Sequence, residues 1–500
     1  MVDQAVVQDA TAKPADQREG VERSDAEPVN KKERRSLYQK RIKIYPRLAR
    51  GSFRRLKWIV MAVTLAVYYV TPWLRWDRGP NAPDQAVLID FPGRRFYFFF
   101  IEIWPQEVYY VTGLLILAAI GLFLITALAG RVWCGYACPQ TVWTDLFIAV
   151  ERFFQGDRAS RIRLDKMPWS ANKIVRKAAT HVTWVVIGAL TGGAWVFYFA
   201  DAPTLATQLA TFEAPAIAYM TIATLTFTTY LLGGLAREQV CTYMCPWPRI
   251  QGGLLDEESL VITYHEDRGE PRGARKKGAT DTGLGDCVDC NQCVAVCPMG
   301  IDIRDGQQLE CITCALCIDA CDQVMDKVGL PRGLISYDTL ANVERVRAGE
   351  KPRLRLIRPR TIVYSAIIVL VSLVMLFTLA TRSDLDVNIL RDRNPLFVTL
   401  SDGSIRNGYT VKIINKQHEA RSFSLRLEGI AGAGLDVVGA DVTADDLAVG
   451  PDSLESYRVF VSAPPAALEG DSTDVRFQVV DKATGAAVSY DTVFRGPDER

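Results

Sequence analysis

Five blocks of this chain, Leu56–Leu74, Val108–Gly130, His181–Ala200, Ala216–Ala236 and Thr361–Ala380, run nearly free of charge. Each is about 20 residues long, the length a helix needs to cross the hydrocarbon core of a bilayer. Buried helices of a soluble core would not come five times over with basic flanks. Hydrophobic content is only 49%, because polar segments separate the apolar blocks. The first block begins behind about 55 polar residues, too late for a secretory signal peptide. The expected fold class is a multi-domain membrane protein with an α-helical bundle of about five spans.

The net charge of +1 hides a strong asymmetry along the chain. Lys and Arg crowd Lys31–Lys57, Arg152–Lys177 and Arg237–Arg360, whereas Asp201–Pro215 has none. Basic loops stay on the cytoplasmic side, which predicts an inside amino terminus and an outside carboxy terminus. Arg75–Glu107 falls outside in this scheme despite four arginines. Its five acidic residues and the run "FYFFF" fit an interfacial apron better than a sixth span.

All 12 cysteines then lie at or beyond the cytoplasmic ends of helices, and Thr381–Arg500 has none. Disulfides persist in oxidising compartments, so this distribution points to metal ligands. The run Cys287–Asp322 reads C-x2-C-x2-C-x3-C-P followed by C-x2-C-x2-C-x3-C. In bacterial ferredoxins three closely spaced thiolates hold one cluster, and the fourth cysteine serves the other. The spacing assigns Cys287, Cys290, Cys293 and Cys321 to one [4Fe–4S] cluster, and Cys311, Cys314, Cys317 and Cys297 to a second. Zinc sites usually pair two ligands, a gap and two more, which is not the pattern here. Asp322 stands where the second run would carry its proline.

The same C-x3-C-P form recurs at Cys134 and Cys138, and at Cys241 and Cys245. Each pair ends an even-numbered span, and cysteines four apart would share a face if the helix continued. After the first pair, Trp143, Leu146, Phe147, Val150, Phe153 and Phe154 fall on one helical face, as for a helix lying in the membrane interface. Span, motif and interfacial segment form an internal duplication. Together the two motifs offer four soft thiolates, suited to Cu(I), zinc or an iron–sulfur cluster. Packing of small apolar residues at helix ends is the plainer reading of one motif alone. A copper site, a third cluster and a thiol relay all stay open.

Only three histidines exist, and only His181 lies near a span, which argues against a bis-histidine haem in the bundle. Beyond the last span, period-two stretches at Tyr409–Asn415, Phe423–Gly429, Glu455–Ala463, Asp474–Asp481 and Ser489–Phe494 predict a β-sandwich. The domains expected are a disordered basic terminus (1–55), a four-span region with both motifs (56–260), and a cytoplasmic bacterial-type 2[4Fe–4S] ferredoxin domain with linkers (261–360). A fifth transmembrane helix (361–381) and a periplasmic immunoglobulin-like sandwich (382–500) complete them.

This order of features resembles the FixG/CcoG/RdxA-type cytochrome oxidase accessory proteins of bacteria. Two CxxxCP motifs, the tandem cluster run, an immunoglobulin-like tail and "YHEDRGEPRG" (Tyr264–Gly273) carry the resemblance. It implies an iron–sulfur electron-transfer protein of the bacterial inner membrane that reduces Cu(II) to Cu(I) for assembly of a cbb3-type haem–copper oxidase. It also implies copper ions, lipid, and oxidase subunits or assembly factors as partners, with Cys134, Cys138, Cys241 and Cys245 as a copper or further redox site. The electron donor is undefined, a homo-oligomer is left open, and no nucleic-acid partner is expected. The competing readings are a quinol-oxidising subunit that feeds a reductase, and a scaffold or redox sensor without enzymatic activity.

Overall fold

The computed structural model describes residues 21, 23–30, 42–274, 283–383, 385–439, 442–468 and 470–497. The chain divides into two compact units. Among the described residues, five helices are long and apolar enough to cross a membrane: Ser52–Trp73, Pro105–Ala129, Ala171–Val196, Ala216–Ala236 and Pro359–Ala380. The last fully buries none of its apolar window, although Tyr364 packs on Phe123, so most of its surface calls for an apolar solvent. The third begins ten residues earlier than its apolar run suggests. Ser170 caps it by accepting from the Lys173 amide, and Lys173, Arg176 and Lys177 wind into its first turns. Charged residues with long apolar stems are at home there, at the edge of a membrane.

Of the terminus expected to be disordered, residues 1–20, 22 and 31–41 lie outside the described residues. The described stretches 23–30 and 42–50 depart from that expectation. They have no regular secondary structure, yet Ser24 and Arg47 donate backbone hydrogen bonds to the Cys290 and Ala295 carbonyls. Burial of Ala26, Ile44 and Ala49 accompanies these contacts. Apolar content is low, so backbone and side-chain polar contacts order the segment, Lys43 and Tyr45 on Asp165 among them, and no sequence pattern announces them. The span that follows starts at Gly51 without a capping side chain of its own. Asp319, from the ferredoxin helix Leu316–Val328, takes that role by accepting the Phe53 and Arg54 amides at 3.2 and 2.7 Å.

The segment after the first CxxxCP motif forms the helix Pro139–Gln155, but its polar face is not solvated as an interfacial helix would predict. Asp145 pairs with Arg54 at 2.9 Å. Glu151, 2% exposed, meets Arg161 at 3.1 Å, Arg237 at 3.0 Å and Lys43 at 3.4 Å. On the apolar side Phe147 stacks on Trp184 at 5.4 Å, while Phe153 remains exposed.

In the second unit, β1 (Leu385–Arg391), β2 (Val398–Thr399), β3 (Ile405–Asn415), β5 (Gly434–Val437) and β7 (Ser453–Ala463) build one antiparallel sheet, ordered β5-β7-β3-β1 with β2 also on β3. The other is β6-β4-β8-β9, from β4 (Arg421–Glu428), β6 (Leu447–Val449), β8 (Ser472–Asp481) and β9 (Ala487–Arg495). Alternate residues Tyr409, Val411 and Ile413 face Phe423, Phe477 and Val479 in one buried core. Tyr409 and Phe477 meet edge-on at 5.0 Å, and the Tyr409 hydroxyl donates to the Val493 carbonyl. All five strands expected from period two are present. The other four are short or directly follow the last span.

Burial alone would raise the Glu151 carboxyl, but Arg237, Lys43 and Arg161 outweigh it and hold the group below its usual range. A depressed carboxylate stabilises the fold fully above its unfolded value of about 4.3, and the contribution fades as pH falls through the lower folded value. Glu151→Ala strands three cations and is expected to cost about 3–5 kcal/mol at neutral pH. Denaturant unfolding of the detergent-solubilised protein, repeated below pH 4, should show the deficit shrink.

Candidate metal centres

The spacing of the tandem run turns into geometry through its backbone. In each C-x2-C-x2-C loop the residues flanking the middle cysteine adopt left-handed conformations. Asp289 and Asn291 have φ 52° and 53°, and Thr313 and Ala315 have 55° and 60°. Such residues cost about 1–2 kcal/mol each and persist where the surroundings demand them. Here they curl two matching loops so that the thiols turn inward. Each loop then enters a helix, Gln292–Val296 or Leu316–Val328. Pro298 follows the first, which stops short of Cys297. Asp322 replaces the second proline, so that helix runs on through Cys321 and ends seven residues later.

The result is two cavities. Cys287, Cys290, Cys293 and Cys321 line one, with Tyr264 and Arg304. Cys297, Cys311, Cys314 and Cys317 line the other, which Cys293 also reaches. Cys321 thus lies with the thiols of the first loop, and Cys297 with those of the second. Burial, followed by the charges of neighbouring thiols, pushes Cys317 well up; burial likewise raises Cys311 to about 11 and Cys321 to about 12. Four crowded buried thiols cannot all ionise in water's absence. A multivalent cation among them removes that cost, so this donor set fits iron–sulfur clusters.

Two supporting groups escape a cysteine count. Arg304, 7% exposed, bonds Asp302, Asp289 and Asn291, holding the first loop at its left-handed residues. The stretch "YHEDRGEPRG", which has no role derivable from sequence, wraps the Cys287 backbone. The Cys287 amide donates to the Gly269 carbonyl, the Gly273 amide to the Cys287 carbonyl, and the Asp286 amide to the Arg268 carbonyl. His265 in that stretch bonds Ser336, and Arg268 pairs with Asp286 at 2.6 Å. His181, in the third span, bonds the Tyr230 hydroxyl.

The two CxxxCP motifs do not sit on continuing helices, contrary to the simplest expectation. Cys134 lies in the short helix Val132–Tyr136, and Cys241 in a π-wound turn, Val240–Met244. Both motifs close alike. The second cysteine's amide bonds the carbonyl of the residue before the first cysteine, Cys138 to Trp133 at 2.9 Å and Cys245 to Val240 at 2.8 Å. The proline after each then opens the next helix, Pro139–Gln155 or Trp247–Leu254. The internal duplication is therefore one of backbone geometry.

The motifs also meet. Burial raises Cys241 to about 12, and its next contributors are Cys138, Cys134 and Cys245. Cys134, at about 11, feels burial first, then opposing stabilisation from Arg131, then Cys138 and Cys245. Cys241 and Cys134 are each within electrostatic reach of Cys138 and Cys245, and of each other. Cys134 donates to Gln251 at 3.1 Å, and Gln251 reaches back to Thr126. Moreover, this group abuts the second ferredoxin loop. Cys134 shares a buried cluster with Ile312, Cys314 and Leu316, against which Cys241 packs. A Cβ on Gly135 would stand 2.6 Å from the Ile312 carbonyl oxygen and 3.0 Å from the Cys314 Cα. The Tyr136 hydroxyl donates to the Cys314 carbonyl at 3.2 Å. Beside Cys311 and Arg131 opens a cavity of about 410 Å³.

Comparison with known proteins agrees with these features. A family model described as a 4Fe-4S dicluster domain matches residues 236–340, and a 4Fe-4S binding domain matches 111–156. Residues 375–497 match the IG-like fold at the C-terminus of FixG. The chain is 57% identical to the nitrogen fixation protein FixG of Rhizobium meliloti, over 89% of this chain and 91% of that protein. It is 54% identical to the protein RdxB of Cereibacter sphaeroides, over 92% and 98%, and 51% identical to RdxA of the same organism, over 89% and 95%.

The crossed arrangement can be checked directly. Cys321→Ser is expected to perturb the signal shared with Cys287→Ser, and Cys297→Ser the signal shared with Cys314→Ser. EPR of the reduced variants, with iron and sulfide analysis, should sort the four substitutions into those two pairs.

Proposed function

The chain belongs to the FixG family of iron–sulfur proteins, and on that premise we propose that it is a membrane-anchored oxidoreductase reducing Cu(II) to Cu(I) for assembly of a cbb3-type haem–copper oxidase. The observation that carries this reading is the seating of the Cys134–Cys138 turn on the Ile312–Cys314 loop, with no side chain at Gly135 to hold them apart. Bound at the eight ferredoxin cysteines, iron–sulfur clusters would supply one-electron transfer, matched to a one-electron change in copper.

The protein's own residues set the conditions. Cys287, Cys290, Cys293 and Cys321 would hold one cluster, and Cys297, Cys311, Cys314 and Cys317 the other. Ile301, Ile312 and Leu316 are buried along the second cavity and keep water from its sulfurs, a lever on reduction potential. Cys134, Cys138, Cys241 and Cys245 would present four soft thiolates, which favour Cu(I) over Cu(II) and so favour the product. Arg131, buried beside Cys134, offsets part of the cost of ionising that thiol. Basic loops on the inner face would put the thiols in the cytoplasm and the sandwich in the periplasm of a bacterial inner membrane.

A second reading gives the four-thiol site another occupant, a third cluster; its motive is that residues 111–156, with Cys134 and Cys138, resemble a 4Fe-4S binding domain. Changing Cys134, Cys138, Cys241 and Cys245 together to Ser separates the two. Loss of copper with about eight irons retained supports copper handling there, and loss of about four irons supports a third cluster.

Gly135→Val is the sharper test of the contact. The variant is expected to keep its full iron content and to reduce Cu(II) at least tenfold more slowly with dithionite as donor. Wild-type protein with intact clusters that fails to reduce Cu(II) would end the proposal.

A further inference from the structure

Away from the cysteines, one histidine of the sandwich unit lies between two carboxylates. Glu102 comes from the strand Ile101–Ile103, His418 from the β3–β4 turn and Asp452 from the β6–β7 turn. The carboxylate side chains are 8% and 4% exposed, while the imidazole is 36% exposed. His418 Nδ1 stands 2.5 Å from Asp452 Oδ2, and Nε2 stands 3.3 Å from Glu102 Oε1.

The framework holding these groups is tightly tied. Asn415 donates to the Glu419 and Gly450 carbonyls at 2.7 and 2.8 Å, locking the two turns together. The Asp452 amide donates to the Gln417 carbonyl at 2.9 Å. The Glu102 carbonyl accepts from Arg382, and the His418 carbonyl accepts from Asn81.

The two sides of the imidazole are chemically unequal. The short Nδ1 contact is a hydrogen bond donated to a carboxylate, and it aims Nε2 at Glu102. A distance of 3.3 Å is long for a charge-assisted hydrogen bond, which runs to about 2.7–2.9 Å. It does match two donors sharing one ion, since bonds of about 2.0–2.2 Å set neighbouring donors about 2.8–3.6 Å apart between square-planar and tetrahedral geometry. A carboxylate on the far nitrogen is the usual outer partner of a metal-bound histidine. One ligand atom from each residue lies within 4.8 Å of the others.

We propose that His418 Nε2 and the Glu102 carboxylate bind a divalent first-row transition cation, with Asp452 orienting the imidazole and water completing the shell. Among such ions a nitrogen and oxygen donor set binds Cu(II) most strongly, and without thiolate it has little affinity for Cu(I). The site goes beyond the reductase reading and does not depend on it, because no electron transfer is involved.

The test uses the full chain with oxidised clusters, no electron donor and one equivalent of Cu(II). Pulsed EPR is expected to show tetragonal Cu(II) with the modulation of one imidazole nitrogen, absent in His418→Ala. Asp452→Asn should keep that modulation and weaken binding about 10–100-fold, the usual effect of losing an outer carboxylate. Glu102→Gln should weaken binding at least tenfold. Cu(II) should raise the unfolding temperature of wild type and not of His418→Ala. If His418→Ala does not fold, Glu102→Gln, which keeps the imidazole, carries the test through the same affinity measurement. Wild type without imidazole-bound Cu(II), or either variant binding as tightly as wild type, would reduce the triad to an ion pair and overturn the proposal.

Discussion

Crowded buried thiols are the constraint on which the first unit depends. Sulfur packed against sulfur away from water can ionise only around a cation, and protonated thiols give little in return for the left-handed backbone at Asp289, Asn291, Thr313 and Ala315. The fold surrounds this core with groups that would otherwise have no reason to meet. Arg304 pins one loop, the stretch Tyr264–Gly273 wraps Cys287, and the chain at 23–30 and 42–50 closes over the ferredoxin helices. Cluster binding at these thiols would therefore be coupled to folding of this region, as in other small metal-dependent domains.

The same logic reaches the membrane boundary by a different route. Glu151 gathers Lys43, Arg161 and Arg237 from three separate segments, and Asp145 gathers Arg54 and Lys57. Buried ion pairs of this kind rarely add net stability, because desolvation consumes most of the attraction. They do fix register, since a displaced partner leaves a bare charge. Here they fix the helix Pro139–Gln155, and through it the turn that presents Cys138.

Much of this was legible in the sequence, and for identifiable reasons. Apolar length finds spans because the bilayer sets a fixed thickness, and cysteine spacing finds ligand sets because a cluster has a fixed size. Period two finds long strands such as β3 and β7. What escapes are features that rest on single polar contacts. Asp145 and Glu151 look like the solvated side of an amphipathic helix until their distant cations are placed. His418 is unremarkable in sequence because Glu102 lies more than 300 residues away. The π-wound turn at Val240–Met244 has no compositional mark, and only the repeated bond from the second cysteine back to the residue before the first reveals its likeness to the Cys134 turn.

Asp319 carries a consequence in time. It stands between Cys317 and Cys321, yet it caps the first span through amides 265 and 266 residues earlier in the chain. At about 5–20 residues per second, synthesis delivers this cap about 13–53 seconds after the span itself is made. Until then the leading amides of that helix face the interface without their partner. The seating of the first span is thereby made contingent on a ferredoxin domain that does not yet exist when the span enters the bilayer, and assembly of this protein closes backward, from its middle to its beginning.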